Sequence, residues 1–179
     1  MERRYFLGGN TPYGFKSFYG EIVDNYNQSK LFILKGGSGT GKSTFIKKFA
    51  ARILEKNPGS DVDYVHCSQE PTSLDGAIFP GLGVGIIDGT APHITDPKYP
   101  GAVEVIIDLS KHICGEKILA HRSELQRIMA KKSEHYKRAY KELEKAKSYH
   151  DMIEKIYTPS VDFDGVSQTL DEVLASMTR

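Results

Sequence analysis

The chain has 179 residues, of which 39% are hydrophobic and 26% are charged, and its formal net charge is +1. This length suits one domain with a sizeable core, and the balanced charge points to no particular partner. The two cysteines, Cys67 and Cys114, form no disulfide framework or zinc motif, which favours a reducing, cytoplasmic setting. We find no signal-peptide pattern at the N-terminus, and no apolar run approaches the roughly 20 residues of a membrane span.

The first elements in chain order are predicted from short apolar patterns and turn residues. Residues 4–7 predict a short strand. Thr11 as N-cap and Pro12 at the first helical position predict a helix that extends to Val23. The apolar residues that recur at helical spacing in it are Phe15, Phe18, Tyr19, Ile22 and Val23. A polar turn is expected at residues 25–29.

The middle of the chain predicts an α/β fold. Wholly apolar or nearly apolar runs predict strands at residues 31–34, 62–67 and 82–87, and an amphipathic pattern predicts a helix at 44–55. This order favours a parallel sheet with flanking helices, and together with the glycine-rich motif GGSGTGKS at residues 36–43 it predicts a sheet of the P-loop NTPase type. Three firm strands and one weak strand are fewer than the five usual in such a core. Either the sheet is incomplete in this chain, or the pattern hides a strand.

The second half of the chain is predicted to be helical. Residues 100–113 predict a helix, and residues 116–157 carry a heptad-like pattern that is either a projecting arm, spanning roughly 63 Å if straight, or a folded-back hairpin. Residues 111–157 contain 12 Lys or Arg and 7 Asp or Glu, interspersed, so we favour a self-packed helical pair over a partner-binding arm, and nucleic acid is the less favoured partner. A last amphipathic helix closes the chain. The predicted division is a core at 1–110, an arm or hairpin at 111–158 and a C-terminal helix at 159–179.

A glycine-rich motif lies between the strand at 31–34 and the helix at 44–55. Its sequence GGSGTGKS matches the phosphate-binding pattern GxxxxGK[ST]. Glycines let backbone N–H groups approach a phosphate, the following helix N-terminus attracts the anion, Lys42 reaches the β- and γ-phosphates and Ser43 binds Mg²⁺. The predicted ligands are therefore ATP and Mg²⁺. The nucleotide-binding residues are Gly36, Gly37, Ser38, Gly39, Thr40, Gly41, Lys42, Ser43 and Thr44.

A phosphate-binding loop needs a carboxylate near the metal, and Asp88 follows an apolar strand. We assign Asp88 to Mg²⁺ with Ser43; the alternative is that it only opens a turn with Gly89. Gly89 occupies the place where many ATPases carry a water-activating glutamate. Glu70 is the nearest substitute in sequence, with Asp75 behind it, so the predicted catalytic residues are Lys42, Asp88 and Glu70.

Three functions are compatible with these residues. The first is a Mg²⁺-dependent ATPase, with adenine preferred because no Asn-Lys-x-Asp motif is present to select guanine. The second is a small-molecule or nucleotide kinase, for which Arg122 and Arg127 are the available lid arginines. The third is a non-enzymatic, nucleotide-dependent scaffold. His66 and His93 are both expected to be structural.

Several strings besides the loop resemble a family of bacterial P-loop ATPase-like proteins. They are FLGGNTPYGF at 6–15, HCS at 66–68, SLDG at 73–76, DGTAPH at 88–93 and DPKYPG at 96–101. The resemblance is close over residues 4–101 and looser through the helical arm. It implies nucleotide binding and says little about substrate. Members of that family carry two tandem P-loop halves, so the resemblance implies a first half whose sheet is completed by a second half or by self-association.

Overall fold

The computed structural model describes residues 1–22 and 29–177. The strands in this part of the chain are β1 (Glu2–Tyr5), β2 (Gly8–Thr11), β3 (Gly14–Ser17), β4 (Lys30–Lys35), β5 (Val62–His66), β6 (Leu74–Phe79), β7 (Val84–Asp88) and β8 (Glu104–Asp108). The α-helices lying wholly within it are α1 (Lys42–Lys56), α2 (Gly115–Ala120), α3 (Arg122–Tyr157) and α4 (Phe163–Met177). No helix in these described ranges is long and apolar enough to cross a membrane.

Six strands form one mixed sheet in the order β1-β5-β6-β7-β4-β8. Strand β6 pairs antiparallel with both β5 and β7, while the other pairs are parallel. The α/β class is therefore confirmed, but the prediction of a wholly parallel sheet is wrong. Fewer strands were predicted than are found, partly because β6 and β8 were not recognised in the sequence. Because β6 runs against its neighbours, its first residues lie at the edge where β5 and β7 end.

The central strands of the sheet are covered on both faces. Along β4, Leu34 packs with Ile46 and Ala50 of α1, while Leu31 and Ile33 point to the opposite face. Tyr19 and Ile22, from the segment after the β2–β3 hairpin, cover that second face. This double coverage explains why β4 reads as a continuous apolar run rather than an alternating one.

The helix predicted from Thr11 onward is wrong over residues 11–17, because residues 8–17 form a two-stranded antiparallel hairpin. The Thr11 hydroxyl donates to the carbonyl of Gly14 at 2.7 Å and accepts from the N–H of Tyr13, so it stabilises a turn rather than a helix N-terminus. Gly14 has φ 98°, which favours glycine. Val23 and most of the polar turn predicted at 25–29 lie outside the described residues. The strand predicted at 4–7 is found at Glu2–Tyr5.

The helix predicted at residues 100–113 is also wrong. Residues Glu104–Asp108 form β8, which pairs parallel with β4 from Leu31↔Glu104 to Lys35↔Asp108. Its sequence EVIID contains three β-branched residues, which favour a strand. A short 3-10 turn follows at Leu109–His112.

Helix α3 is continuous over 36 residues, about 54 Å at the usual rise per residue. The straight alternative is therefore confirmed and the folded-back hairpin is wrong. A break at His121 separates α3 from the short helix α2. Helix α4 confirms the predicted C-terminal helix, and it contains no buried residue.

Candidate functional site at the carboxyl ends of β4 and β7

The glycine-rich loop, residues 36–43, connects β4 to the N-terminus of α1. Gly39 and Gly41 have φ of 79° and 85°, a region that side chains rarely adopt, so both positions favour glycine. The Thr40 hydroxyl donates to the carbonyl of Gly37 at 2.9 Å and stabilises the turn. The predicted strand–loop–helix arrangement of the motif is thus present.

Lys42 lies inside this loop. Its Nζ donates to the carbonyl oxygens of Gly36 at 2.7 Å and Gly37 at 2.9 Å. The same nitrogen is 3.6 Å from Oδ2 of Asp88, and the two side chains are only 12% and 11% exposed. The Lys42 side chain is therefore largely removed from water and lies close to the Asp88 carboxylate.

Asp88 ends β7 directly beside Leu34 of β4. Its Oδ1 accepts the N–H of Thr90 at 2.8 Å, and the hydroxyl of Thr90 donates to Gly36 at 3.3 Å. Both interpretations of Asp88 are therefore structurally compatible, because one carboxylate oxygen stabilises a turn and the other faces Lys42. Parallel pairing of β4 with β7 brings these groups together.

A cleft of about 510 Å³ lies over the glycine-rich loop, and we call it the loop cleft. It is lined by most of the predicted site residues together with groups from β6, the segment after β7 and helix α3. The lining residues are Ser38, Gly39, Thr40, Gly41, Lys42, Ser43, Thr44, Cys67, Gln69, Glu70, Ser73, Leu74, Asp75, Asp88, Thr90, Ala91, Pro92, His93 and Lys132. Gly36 and Gly37 support the cleft through their bonds to Lys42.

Ser43 and Glu70 both line this cleft but differ in their surroundings. The hydroxyl oxygen of Ser43 accepts the N–H of Leu74 at 2.9 Å, which ties α1 to β6. Glu70 is exposed, and its Oε1 accepts from the hydroxyl of Thr72 at 2.7 Å. These bonds from Thr72 hold the pKa of Glu70 below its usual value.

Asp75, the candidate acid behind Glu70 in the sequence, and His93, which was expected to be structural, form a buried pair that the sequence did not reveal. Asp75 is 5% exposed and His93 is 6% exposed. His93 Nε2 lies 3.2 Å from Oδ2 of Asp75, and the Tyr19 hydroxyl donates to the same oxygen at 3.1 Å. The Tyr19 ring stacks on the His93 ring with centroids 4.5 Å apart. In the sequence these two residues stand in the strings SLDG and DGTAPH, and neither string indicates that β6 and β7 are adjacent.

Electrostatics at this pair follow from burial and charge. Burial acts to lower the pKa of His93, but the hydrogen bond and charge of Asp75, with the charge of Asp88, outweigh it and raise the pKa. Burial, reinforced by Asp75, raises the pKa of Tyr19 and keeps its hydroxyl a donor. One ligand atom each from Asp75, Asp88 and His93 lies within 4.8 Å of the other two, a spacing that could hold a metal ion.

Gly89 leaves no room for a side chain. A Cβ atom there would overlap Cγ2 of Ile33 and lie 3.0 Å from the carbonyl oxygen of Thr95. Lys35 fixes this segment, since its Nζ donates to the carbonyls of Gly89 and Thr95, both at 2.9 Å. A glutamate side chain therefore does not fit directly after Asp88 at this strand end.

Substituting Gly89→Ala should lower the free energy of unfolding by about 1–3 kcal/mol, because the added methyl group overpacks the site. Urea unfolding measures the change. Gly81→Ala is the matched control, since a Cβ there meets no atom within 4 Å. Equal stability of the two variants would contradict the packing argument.

Helix α3 borders the loop cleft and a smaller adjoining cavity, which we call the α3 pocket. This pocket has a volume of about 240 Å³. It shares one wall with the loop cleft, formed by Cys67, Gln69, Ala91, Pro92, His93 and Lys132. Its other lining residues are Asn10, Phe15, Ser68, Tyr136 and Tyr140. Burial raises the pKa of Cys67, so this thiol is no ready nucleophile.

Three residues considered in the sequence lie away from the loop cleft. Arg122 and Arg127, the lid candidates, are on α3 but are not among its lining residues. His66 contacts the Pro71 carbonyl and Arg4 near the end of β5.

Comparison of the chain with protein-family models, with curated proteins and with solved structures finds no match. The function of the protein must therefore be inferred from the geometry and chemistry of this site.

Proposed function

We propose that this protein is a P-loop NTPase that binds ATP with Mg²⁺ in the loop cleft. One observation carries the proposal: Lys42 is held inside the glycine-rich loop and 3.6 Å from Asp88, where β4 and β7 end together. The loop N–H groups and Lys42 bind the β- and γ-phosphates, and the positive end of α1 faces them. Adenine is the proposed base because the sequence lacks a guanine-selecting motif.

The residues around Asp88 fit a magnesium ion. Asp88 and the Ser43 hydroxyl are oxygen donors that line one cleft, and Mg²⁺ prefers oxygen ligands together with water and substrate phosphates. We assign the ion to these two groups. His93 is an imidazole engaged with Asp75, a donor better suited to softer metals, so it supports Asp75 rather than the ion. When bound, Mg²⁺ neutralises charge on the phosphates.

Hydrolysis needs a group that orients water, and two carboxylates besides Asp88 line the cleft. Glu70 is the candidate from sequence, but its carboxylate is exposed and bonded to Thr72. Asp75 is buried and held by Tyr19 and His93, which fixes its orientation. A fixed carboxylate is the better positioner, so we propose Asp75 for this role ahead of Glu70.

A kinase is the second candidate, and the α3 pocket is the observation that favours it. The pocket adjoins the loop cleft, and aromatic rings and amides line it. Its volume of about 240 Å³ is below the ~300–1,000 Å³ of most ligand sites and suits a small acceptor. In transfer, the acceptor hydroxyl oxygen would bond to the γ-phosphorus as the bond to the β-phosphate oxygen breaks, and its proton would pass to Asp75.

Incubation with γ-labelled ATP and Mg²⁺ distinguishes the candidates. Release of labelled phosphate without an acceptor is the expected result and supports an ATPase. Label transferred only after addition of a metabolite pool would instead support the kinase. Tight binding with neither product would leave the nucleotide-dependent scaffold, and absence of binding would contradict the proposal.

A further inference from the structure

One face of helix α3 is directed toward the loop cleft and the α3 pocket. Lys132, Tyr136 and Tyr140 are four residues apart in turn, so they share that face. All three line the α3 pocket, and Lys132 also lines the loop cleft. Within the part of the chain that the structure describes, Lys132 is the only α3 residue in the loop cleft.

Contacts along this face fix α3 against the β2–β3 hairpin. The Tyr140 hydroxyl donates to Oδ1 of Asn10 at 3.0 Å. The Tyr136 and Tyr140 rings lie 6.1 Å apart between centroids, and Lys132 Nζ is 6.0 Å from the centroid of Tyr136. The ammonium group of Lys132 therefore lies over the Tyr136 ring, on the side of α3 that lines the loop cleft.

The charged residues that line the loop cleft favour a second cation beside a bound triphosphate. Its described lining residues include three carboxylates, on Glu70, Asp75 and Asp88, and two lysines, Lys42 and Lys132, while His93 is engaged with Asp75. ATP with Mg²⁺ adds further negative charge. Lys42 already faces Asp88 at 3.6 Å, which leaves Lys132 as the cation not paired with a carboxylate in any contact described above.

We infer that Lys132 of helix α3 binds the terminal phosphate of the nucleotide. This rests on the proposed function of the loop cleft. The Lys132 ammonium binds the γ-phosphate in the loop cleft, so α3 contacts a triphosphate but not a diphosphate. Bound ATP thereby links α3 to the glycine-rich loop, and loss of the γ-phosphate removes that link.

The test compares the affinities of Mg²⁺ complexes of ATPγS and ADP for four proteins: wild type, Lys132→Ala, Lys132→Arg and Lys131→Ala. Lys131 is the matched control because it is the adjacent exposed lysine, turned about 100° around the helix. Lys132→Ala should bind ATPγS roughly tenfold more weakly, with ADP affinity unchanged, as expected for loss of one charge-assisted hydrogen bond. Lys132→Arg should restore most of the difference.

The outcomes separate this inference from the function on which it rests. Equal ATPγS affinity of wild type and Lys132→Ala would overturn the role of Lys132 and leave nucleotide binding intact. Parallel losses for ATPγS and ADP would also overturn it, since they indicate a structural defect. Absence of any nucleotide binding by the wild type would overturn both.

Discussion

Replacing Lys42 by alanine is expected to weaken ATP binding by about a hundredfold. The Lys42 ammonium donates to the carbonyls of Gly36 and Gly37 in a largely buried position, ready to turn to the phosphates. Its loss removes charge-assisted hydrogen bonds worth ~1.5–3 kcal/mol each, and ~1.4 kcal/mol corresponds to a factor of ten. Isothermal titration with ATP and Mg²⁺ measures the change.

Lys48→Ala is the control for this substitution. Lys48 lies on the same helix α1, is exposed, and lines a surface depression with Phe45 and Arg52 rather than the loop cleft. Its removal should leave ATP affinity within about twofold, as for a screened surface charge. If Lys42→Ala kept the wild-type affinity, the assignment of the loop would be wrong.

Replacing Asp88 by asparagine should abolish the dependence of ATP binding on Mg²⁺. In the wild type, chelating the metal should weaken ATP binding, because Asp88 supplies the one carboxylate that we assign to the ion. Mutation of residues that only orient metal ligands already lowers metal affinity on the order of 10- to 100-fold. Loss of a direct ligand should therefore lower it at least as much. Affinities measured over a series of Mg²⁺ concentrations would give the dependence.

Asp108→Asn is the matched control for Asp88→Asn. Asp108 ends β8, the other parallel neighbour of β4, as Asp88 ends β7. However, the Asp108 carboxylate accepts from the N–H of Ser110 at 2.8 Å and does not line the loop cleft. Its removal should leave the Mg²⁺ dependence unchanged. An identical response of the two variants would show that Asp88 has no special relation to the ion.

The elements predicted correctly are those in which the pattern of apolar residues matches the pattern of buried residues. Strand β4 is buried on both faces, and α1 presents Ile46 and Ala50 to the core at helical spacing. Strand β6 was missed because Asp75 and Gly76 interrupt its apolar run, although every residue in it is buried. The polar Asp75 is tolerated there because Tyr19 and His93 contact its carboxylate, which no local pattern reveals.

The residues of the candidate site also fall into two groups: those that the sequence pattern predicts and those that only the fold brings together. Lys42 and Ser43 belong to a contiguous motif whose spacing is fixed by the chemistry of phosphate binding. Asp88 was found because a polar residue at the end of an apolar strand is conspicuous. Asp75 and His93 meet only because β6 runs antiparallel beside β7, and Lys132 comes from a helix whose path the sequence left open. Contacts between distant segments depend on topology, and topology was the part predicted least well.

The measurement that tests the central claim most directly is a calorimetric titration of the wild-type protein with ATP, with Mg²⁺ and then with excess chelator. We predict one saturable site per chain in the presence of Mg²⁺ and a clear loss of affinity after chelation. Absence of saturable binding at ATP concentrations up to about 1 mM, the upper end of ordinary KM values, would contradict the assignment of Gly36, Lys42 and Asp88 to a triphosphate site.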